Sequence, residues 1–140
     1  MSKNNRYIDW KNWEADSFAK TSKLEEAYFN NIFKLLKLKK SSKILEIGFG
    51  NGSFLGYAVS QKFNYDGVES NQNLVDLAID NNFSAYTSLD KINRETKYDL
   101  IILFDVIEHI NADAVEEFFK EMNVHLEGTG SIFLRFPNGS

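Results

Sequence analysis

The stretch Ile44-Leu45-Glu46-Ile47-Gly48-Phe49-Gly50-Asn51-Gly52 decides the fold. Its first half, Lys43 to Ile47, is a short apolar run that carries one acid and ends at glycine, which fits a buried strand. Its second half places glycine at every second position. Glycine is needed where the backbone turns tightly or lies close to a ligand. Three glycines so spaced leave a loop with no side-chain wall on one side. A bulky group can lie against bare backbone there.

Working outward, the residues after the loop alternate between two periods. Ser53 to Lys62 fits a helix and Tyr65-Asp66-Gly67-Val68-Glu69 a second strand. Asn71 to Asn82 fits another helix, with Leu74, Leu77 and Ala78 inward. Phe83 to Thr87 is a weak third strand. Tyr98 to Phe104 carries the strongest strand signal, since Leu100-Ile101-Ile102-Leu103 is continuously apolar. Asn111 to Leu126 is a helix with Val115, Phe118, Phe119, Met122 and Leu126 on its apolar side. Gly130 to Phe136 is a fifth strand. Upstream, Asp16 to Leu38 reads as a helix, with Leu24, Tyr28, Ile32, Leu35 and Leu36 on one face. Tyr7 to Trp13 is an irregular aromatic stretch before it.

Strands alternating with helices of these lengths predict an α/β fold: a doubly wound, mainly parallel sheet with helices on both faces, preceded by an N-terminal helix. Two segments are expected, an N-terminal aromatic segment and helix over 1–42 and a ligand-binding core over 43–140. In such sheets the strand C-termini share one edge, and ligands bind there near the point where strand order reverses. The glycine loop, Glu69, Ser88-Leu89-Asp90, Phe104-Asp105 and Arg135 all fall on that edge.

The glycines by themselves allow two cofactors. The dinucleotide fingerprint is G-x-G-x-x-G, with a helix N-terminus facing a pyrophosphate. Here the spacing is G-x-G-x-G, and Ser53 stands where the last glycine of that fingerprint belongs. An acid at the end of strand two can accept hydrogen bonds from a ribose diol. Glu69 takes that place, seventeen residues after Gly52.

Ile44 to Gly52, with Glu46 two residues before the first glycine, resembles the first motif of class I S-adenosylmethionine-dependent methyltransferases. Tyr65 to Asn71 resembles the second motif, and Phe104-Asp105-Val106-Ile107-Glu108-His109-Ile110 the fourth, as found in small-molecule O-methyltransferases. The resemblance covers roughly residues 43–136. It implies a Rossmann-like methyltransferase fold and a cofactor site of Glu46, Gly48, Gly50, Gly52, Glu69, Ser70, Leu89, Asp90, Phe104 and Asp105, with S-adenosylmethionine as donor and S-adenosylhomocysteine as product. Leu89 and Asp90 would flank the adenine. The full fold of the family adds two more strands after strand five, the last antiparallel. The chain is therefore expected to be a truncated or N-terminal part of a longer protein, with strand five as an open edge that invites self-association.

His109 is the candidate general base, because an imidazole titrates near neutrality and can take a hydroxyl proton as the methyl arrives; the alternative is a histidine that caps local structure or contacts the cofactor's methionine end. His125, late in an amphipathic helix, reads as a surface residue or one suited to the helix dipole. Trp10, Trp13, Phe18 and Tyr28 are candidates for a lid over the cofactor. Arg135-Phe136-Pro137-Asn138-Gly139 looks like a pattern of methyltransferases connected with cell-surface polysaccharide synthesis.

The composition sets the outer limits. The chain has 140 residues, the size of one domain, and no cysteine, which excludes disulfides, thiolate metal sites and a cysteine nucleophile. With two histidines sixteen residues apart, no metal site is expected. The net charge is -4, with ten Lys/Arg against five Asp/Glu over residues 1–43 and six against fifteen thereafter. The lysines are spread, so nucleic-acid binding gains no support. Met1 to Trp10 has no apolar signal region and no apolar run reaches membrane-spanning length, so a cytoplasmic protein is expected. The leading expectation is an enzyme that transfers a methyl group to an oxygen of a small molecule or glycan precursor. A non-catalytic cofactor-binding or interaction domain is the alternative, and a nicotinamide-dependent oxidoreductase stands behind it.

Overall fold

The computed structural model describes residues 17–137. Among these residues five strands form one sheet: β1 Lys43–Ile47, β2 Asn64–Val68, β3 Ala85–Tyr86, β4 Tyr98–Phe104 and β5 Leu126–Arg135. Among the described residues four α-helices of a turn or more connect or precede them: α1 Lys23–Leu36, α2 Ser53–Ser60, α3 Gln72–Asp80 and α4 Ala112–Val124. Short 3-10 turns lie at Leu89–Lys91 and Ile107–His109. The strand order is β3-β2-β1-β4-β5, and every pairing is parallel. The order runs outward from β1 in both directions, so the reversal falls between β1 and β4. The crevice beyond Ile47 and Phe104 is therefore the expected ligand position.

Alternation along the central strands feeds two cores, one on each face of the sheet. Ile44, Leu100 and Ile102 pack with Phe29, Ile32 and Phe33 of α1, Phe54, Leu55 and Tyr57 of α2, and Val75, Leu77 and Ala78 of α3. Leu45, Ile47, Ile101 and Leu103 pack with Leu89, Ile92 and Met122, and with Phe118 and Phe119 at the margin. Helix α1 thus shares one core with the sheet. No helix among the described residues is long and apolar enough to cross a membrane.

Three expectations are corrected. Helix α1 begins at Lys23, seven residues later than the periodicity implies. Ser22 caps it, with the Ser22 hydroxyl taking the Glu25 N–H and the Glu25 carboxylate taking the Ser22 N–H. A reciprocal cap of this kind fixes a helix start more firmly than apolar spacing does. Its buried face is Phe29, Ile32 and Phe33, whereas Leu24 and Leu35 are 83% and 81% exposed. The phenylalanines, with more area to bury, set the rotation.

The second correction concerns His125, which is buried at 4% exposure. Its Nδ1 lies 2.9 Å from the carbonyl oxygen of Thr96, and the ring packs near Tyr98. The His125 carbonyl accepts the Tyr98 N–H at 2.7 Å, which holds this end of the helix against the start of β4. Third, β5 starts at Leu126, because the register with β4 shifts between Tyr98 and Leu100 and lengthens the paired segment. Trp10, Trp13 and the rest of the aromatic stretch lie outside the described residues, as do Asn138 and Gly139.

Candidate functional site

The glycine loop leaves β1 with all three motif glycines in left-handed backbone, Gly48 at φ 80°, Gly50 at φ 54° and Gly52 at φ 80°. The three differ in what surrounds them. A Cβ at Gly48 would lie 2.5 Å from Cγ2 of Val106, and one at Gly52 would lie 3.1 Å from the Phe18 ring. A Cβ at Gly50 would meet nothing within 4 Å. Gly50 is therefore the open point of the loop.

Glu69 holds that open point. Its Oε1 accepts the N–H of Gly50 at 3.2 Å, and its Oε2 accepts the N–H of Asn71 at 2.7 Å. Oε1 retains a second lone pair. Ser70 is exposed beside it, its hydroxyl 3.5 Å from Oε2. The end of β2 and the glycine loop are thereby tied to each other.

Glu46 sits behind the loop at 2% exposure. The Tyr65 hydroxyl donates to its Oε1 at 2.6 Å. Burial pushes the Glu46 carboxyl up to about 8, the Tyr65 hydrogen bond opposes that rise, and the charge of Glu69 adds to it. Burial and the neighbouring Glu46 raise the Tyr65 phenol as well.

Two cavities open along this edge. The larger, about 740 Å³, is lined by Glu25, Tyr28 and Asn31 of α1, by Glu46 and the glycine loop, and by Phe104 and Arg135. The smaller, about 560 Å³, is lined by Val68, Glu69, Ser70, Ser88 and Leu89 and by Asp105, Val106 and His109. Gly48 and Phe104 border both. Asp105 on one side joins Arg135 on the other through a 2.7 Å ion pair. Asp105 takes left-handed backbone at φ 58°, and its N–H donates to the Arg135 carbonyl at 2.9 Å. Positive φ is uncommon outside glycine and best tolerated by Asn and Asp. The Arg135 guanidinium lies 4.6 Å over the Phe104 ring and 5.5 Å from the Tyr28 ring.

Most of the expected residues share this edge, but they divide between the cavities. Gly48 and Phe104 stand at the junction, Glu46 and Gly50 on the larger side, and Glu69, Ser70, Leu89 and Asp105 on the smaller. Gly52 faces Phe18 instead. Asp90 is exposed and borders neither cavity, and its carboxylate takes the Ser88 hydroxyl. His109 lines the smaller cavity, exposed, with Nε2 3.5 Å from Glu108 Oε1. Phe18 is buried core at 6% exposure, whereas Tyr28 lies at the larger cavity.

Sequence reasoning missed Glu25 and Asn31 as cavity residues, Tyr65 as the partner of Glu46, and Arg135 as the partner of Asp105. Of these, only Arg135 carried a sequence signal, its place at the end of a predicted strand on the functional edge.

A parallel sheet in the order 3-2-1-4-5, with a glycine loop and an acid after β2 at the reversal, is a Rossmann-like architecture. Residues 21–140 match the family model for a methyltransferase domain, and the chain belongs to that family. No curated protein sequence matches the chain. Among solved structures it is similar to a SAM-dependent methyltransferase from Archaeoglobus fulgidus, 19% identical at a TM-score of 0.69, covering 83% of this chain and 53% of that one. A TehB-like SAM-dependent methyltransferase from Corynebacterium glutamicum is 21% identical at a TM-score of 0.65, covering 97% of this chain and 73% of that one. An S-adenosylmethionine-dependent methyltransferase from Clostridium acetobutylicum is 21% identical at 0.59, covering 77% and 48%. The chain thus spans about half the length of the first and the third.

Proposed function

We propose that the chain binds S-adenosylmethionine across the junction of the two cavities and serves methyl transfer to an acceptor oxygen. The carrying observation is that Gly48 and Phe104 border both cavities, with Glu69 on one side and Glu46 on the other. In this reading the nucleoside occupies the smaller cavity. Glu69 accepts the ribose hydroxyls, and Leu89 packs on the adenine. The amino-acid end passes Gly48 and Gly50 toward Glu46. A coclaurine N-methyltransferase of similar fold, at a TM-score of 0.62, is described with bound SAH, and a glycopeptide N-methyltransferase at 0.63 with sinefungin.

The acceptor then belongs in the larger cavity under α1, among Tyr28, Asn31, Phe104 and Arg135. A sulfonium methyl is already electrophilic, so the protein's main work is to align nucleophile, methyl and sulfur and to exclude water. A small-molecule or glycan hydroxyl fits the mixed aromatic and polar lining.

Calorimetric titration with S-adenosylhomocysteine and, separately, NADH tests the donor. Binding of S-adenosylhomocysteine alone is expected. Binding of NADH alone would sink the assignment.

His109 tests the partition of the two cavities. His109, the candidate base by sequence, lines the smaller cavity. We assign it to nucleoside packing. His109→Ala should therefore raise the S-adenosylhomocysteine Kd by about three- to tenfold, the loss of one modest contact. An unaltered Kd would return His109 to the acceptor side, as a base.

A further inference from the structure

Gly52 in the loop and Gly56 just after it face the same short segment. Phe18 is buried, its ring edge-on to Phe49 at 6.3 Å and tilted on Phe83 at 6.3 Å. A Cβ at Gly52 would lie 3.1 Å from that ring and 3.3 Å from the Ala19 nitrogen. A Cβ at Gly56, inside α2, would overlap the Ala19 carbonyl oxygen and lie 2.8 Å from its carbonyl carbon. Ala19 itself has left-handed backbone at φ 62°.

The segment is also bonded to the loop. The Ala19 N–H donates to the Asn51 carbonyl at 2.8 Å, and the Thr21 hydroxyl donates to the Ser53 carbonyl at 2.6 Å. The chain then enters the Ser22 cap of α1, whose first turn supplies Glu25 to the larger cavity. Asn51 and Ser53, the two residues that receive these bonds, line the same cavity.

We propose that Phe18 to Ser22 form a strap that positions the glycine loop and couples cofactor occupancy to the placement of α1, the wall of the acceptor cavity. The proposal rests on the cofactor assignment made above. Gly52 and Gly56 are then receptors for the strap, and Gly50 is the glycine left to the ligand. Phe18, Ala19 and Thr21 are positioning residues, since none of them lines the cavity. Because the strap binds the loop and leads straight into α1, a ligand that steadies the loop steadies the cavity wall too. By reciprocity, an acceptor that steadies α1 tightens the cofactor.

Gly56→Ala is the decisive variant. Within a helix, alanine is favoured over glycine, so α2 alone would gain from the change, while the strap is displaced by the collision with Ala19. The expected result is a rise of about tenfold in the S-adenosylhomocysteine Kd, measured by calorimetry on protein whose circular dichroism is native. Thr21→Val, which removes the hydroxyl donor, should give about threefold, and Thr21→Ser should restore the original Kd. In wild type, saturating S-adenosylhomocysteine should slow hydrogen exchange at the Ala19 amide and in the first turn of α1.

Variants that melt earlier yet keep their Kd within twofold would reduce the strap to packing and overturn the proposal, as would exchange at Ala19 that ignores the ligand. A wild-type chain that binds no S-adenosylhomocysteine would overturn the cofactor assignment and the coupling with it. Binding in wild type with unchanged variants would overturn the coupling alone.

Discussion

Glu69→Ala is expected to weaken S-adenosylhomocysteine binding by about 100-fold, through two losses that act together. The first is recognition: a carboxylate that accepts from a ribose diol makes charge-assisted bonds, each about 1.5–3 kcal/mol. The second is preorganisation. Glu69 holds the Gly50 N–H at 3.2 Å and the Asn71 N–H at 2.7 Å, so its removal frees the open point of the loop and the start of α3. Glu69→Gln keeps one carbonyl acceptor and a shape close to the original, so about a tenfold loss is expected. Calorimetry on the two variants checks the order. Equal affinity across wild type and both variants would remove Glu69 from the site and move the ribose elsewhere. Folding should be little changed, because Glu69 is only half-buried.

The fold was legible because its determinants are local. A strand such as Leu100 to Leu103 declares itself by composition, and the loop from Gly48 to Gly52 by spacing. The boundaries that failed were set by particular hydrogen bonds. The cap at Ser22 and Glu25 starts α1 at Lys23. The register shift between Tyr98 and Leu100 extends β5 back to Leu126. The site was legible along one edge only, since motif residues lie next to each other in the chain. Its cross-links were not: Asp105 reaches Arg135 across thirty residues, Tyr65 reaches Glu46 across nineteen, and Thr21 reaches Ser53 across thirty-two. No local pattern encodes such pairs. His125 failed for a related reason, because helical periodicity places a residue on a face but cannot say that the next turn folds over it.

Glu46→Gln separates a group kept for stability from one kept for its charge. In the folded chain the Glu46 carboxyl titrates at about 8 against an ordinary 4.5, mainly because it is buried. The folded state therefore keeps a proton that the unfolded chain releases. Stability conferred by the protonated carboxyl is complete below the unfolded value, falls as pH rises from about 4.5 to about 8, and is lost above that. A shift of that size corresponds to about 4–5 kcal/mol between pH 4.5 and pH 8.5. Glutamine keeps an oxygen to accept the Tyr65 hydroxyl and has no proton to lose.

Denaturant unfolding at pH 5 and pH 8.5 should thus show a loss in wild type that exceeds the loss in E46Q by about 4 kcal/mol. The variant should be the more stable protein at the higher pH. Parallel losses would mean that Glu46 is ionised, or solvated, in the folded state.

The cofactor assignment predicts the opposite trend for binding. A cationic amino-acid end beside Glu46 favours the ionised carboxylate, adding to the pull of Arg135 and opposing the repulsion from Glu69. Binding near neutrality then expels the proton, and affinity for S-adenosylhomocysteine should rise from pH 6 to pH 8 in wild type and stay nearly level in E46Q. A buried acid that costs stability where it aids binding is the signature expected of a ligand site, since packing alone would favour glutamine at every pH above the unfolded value.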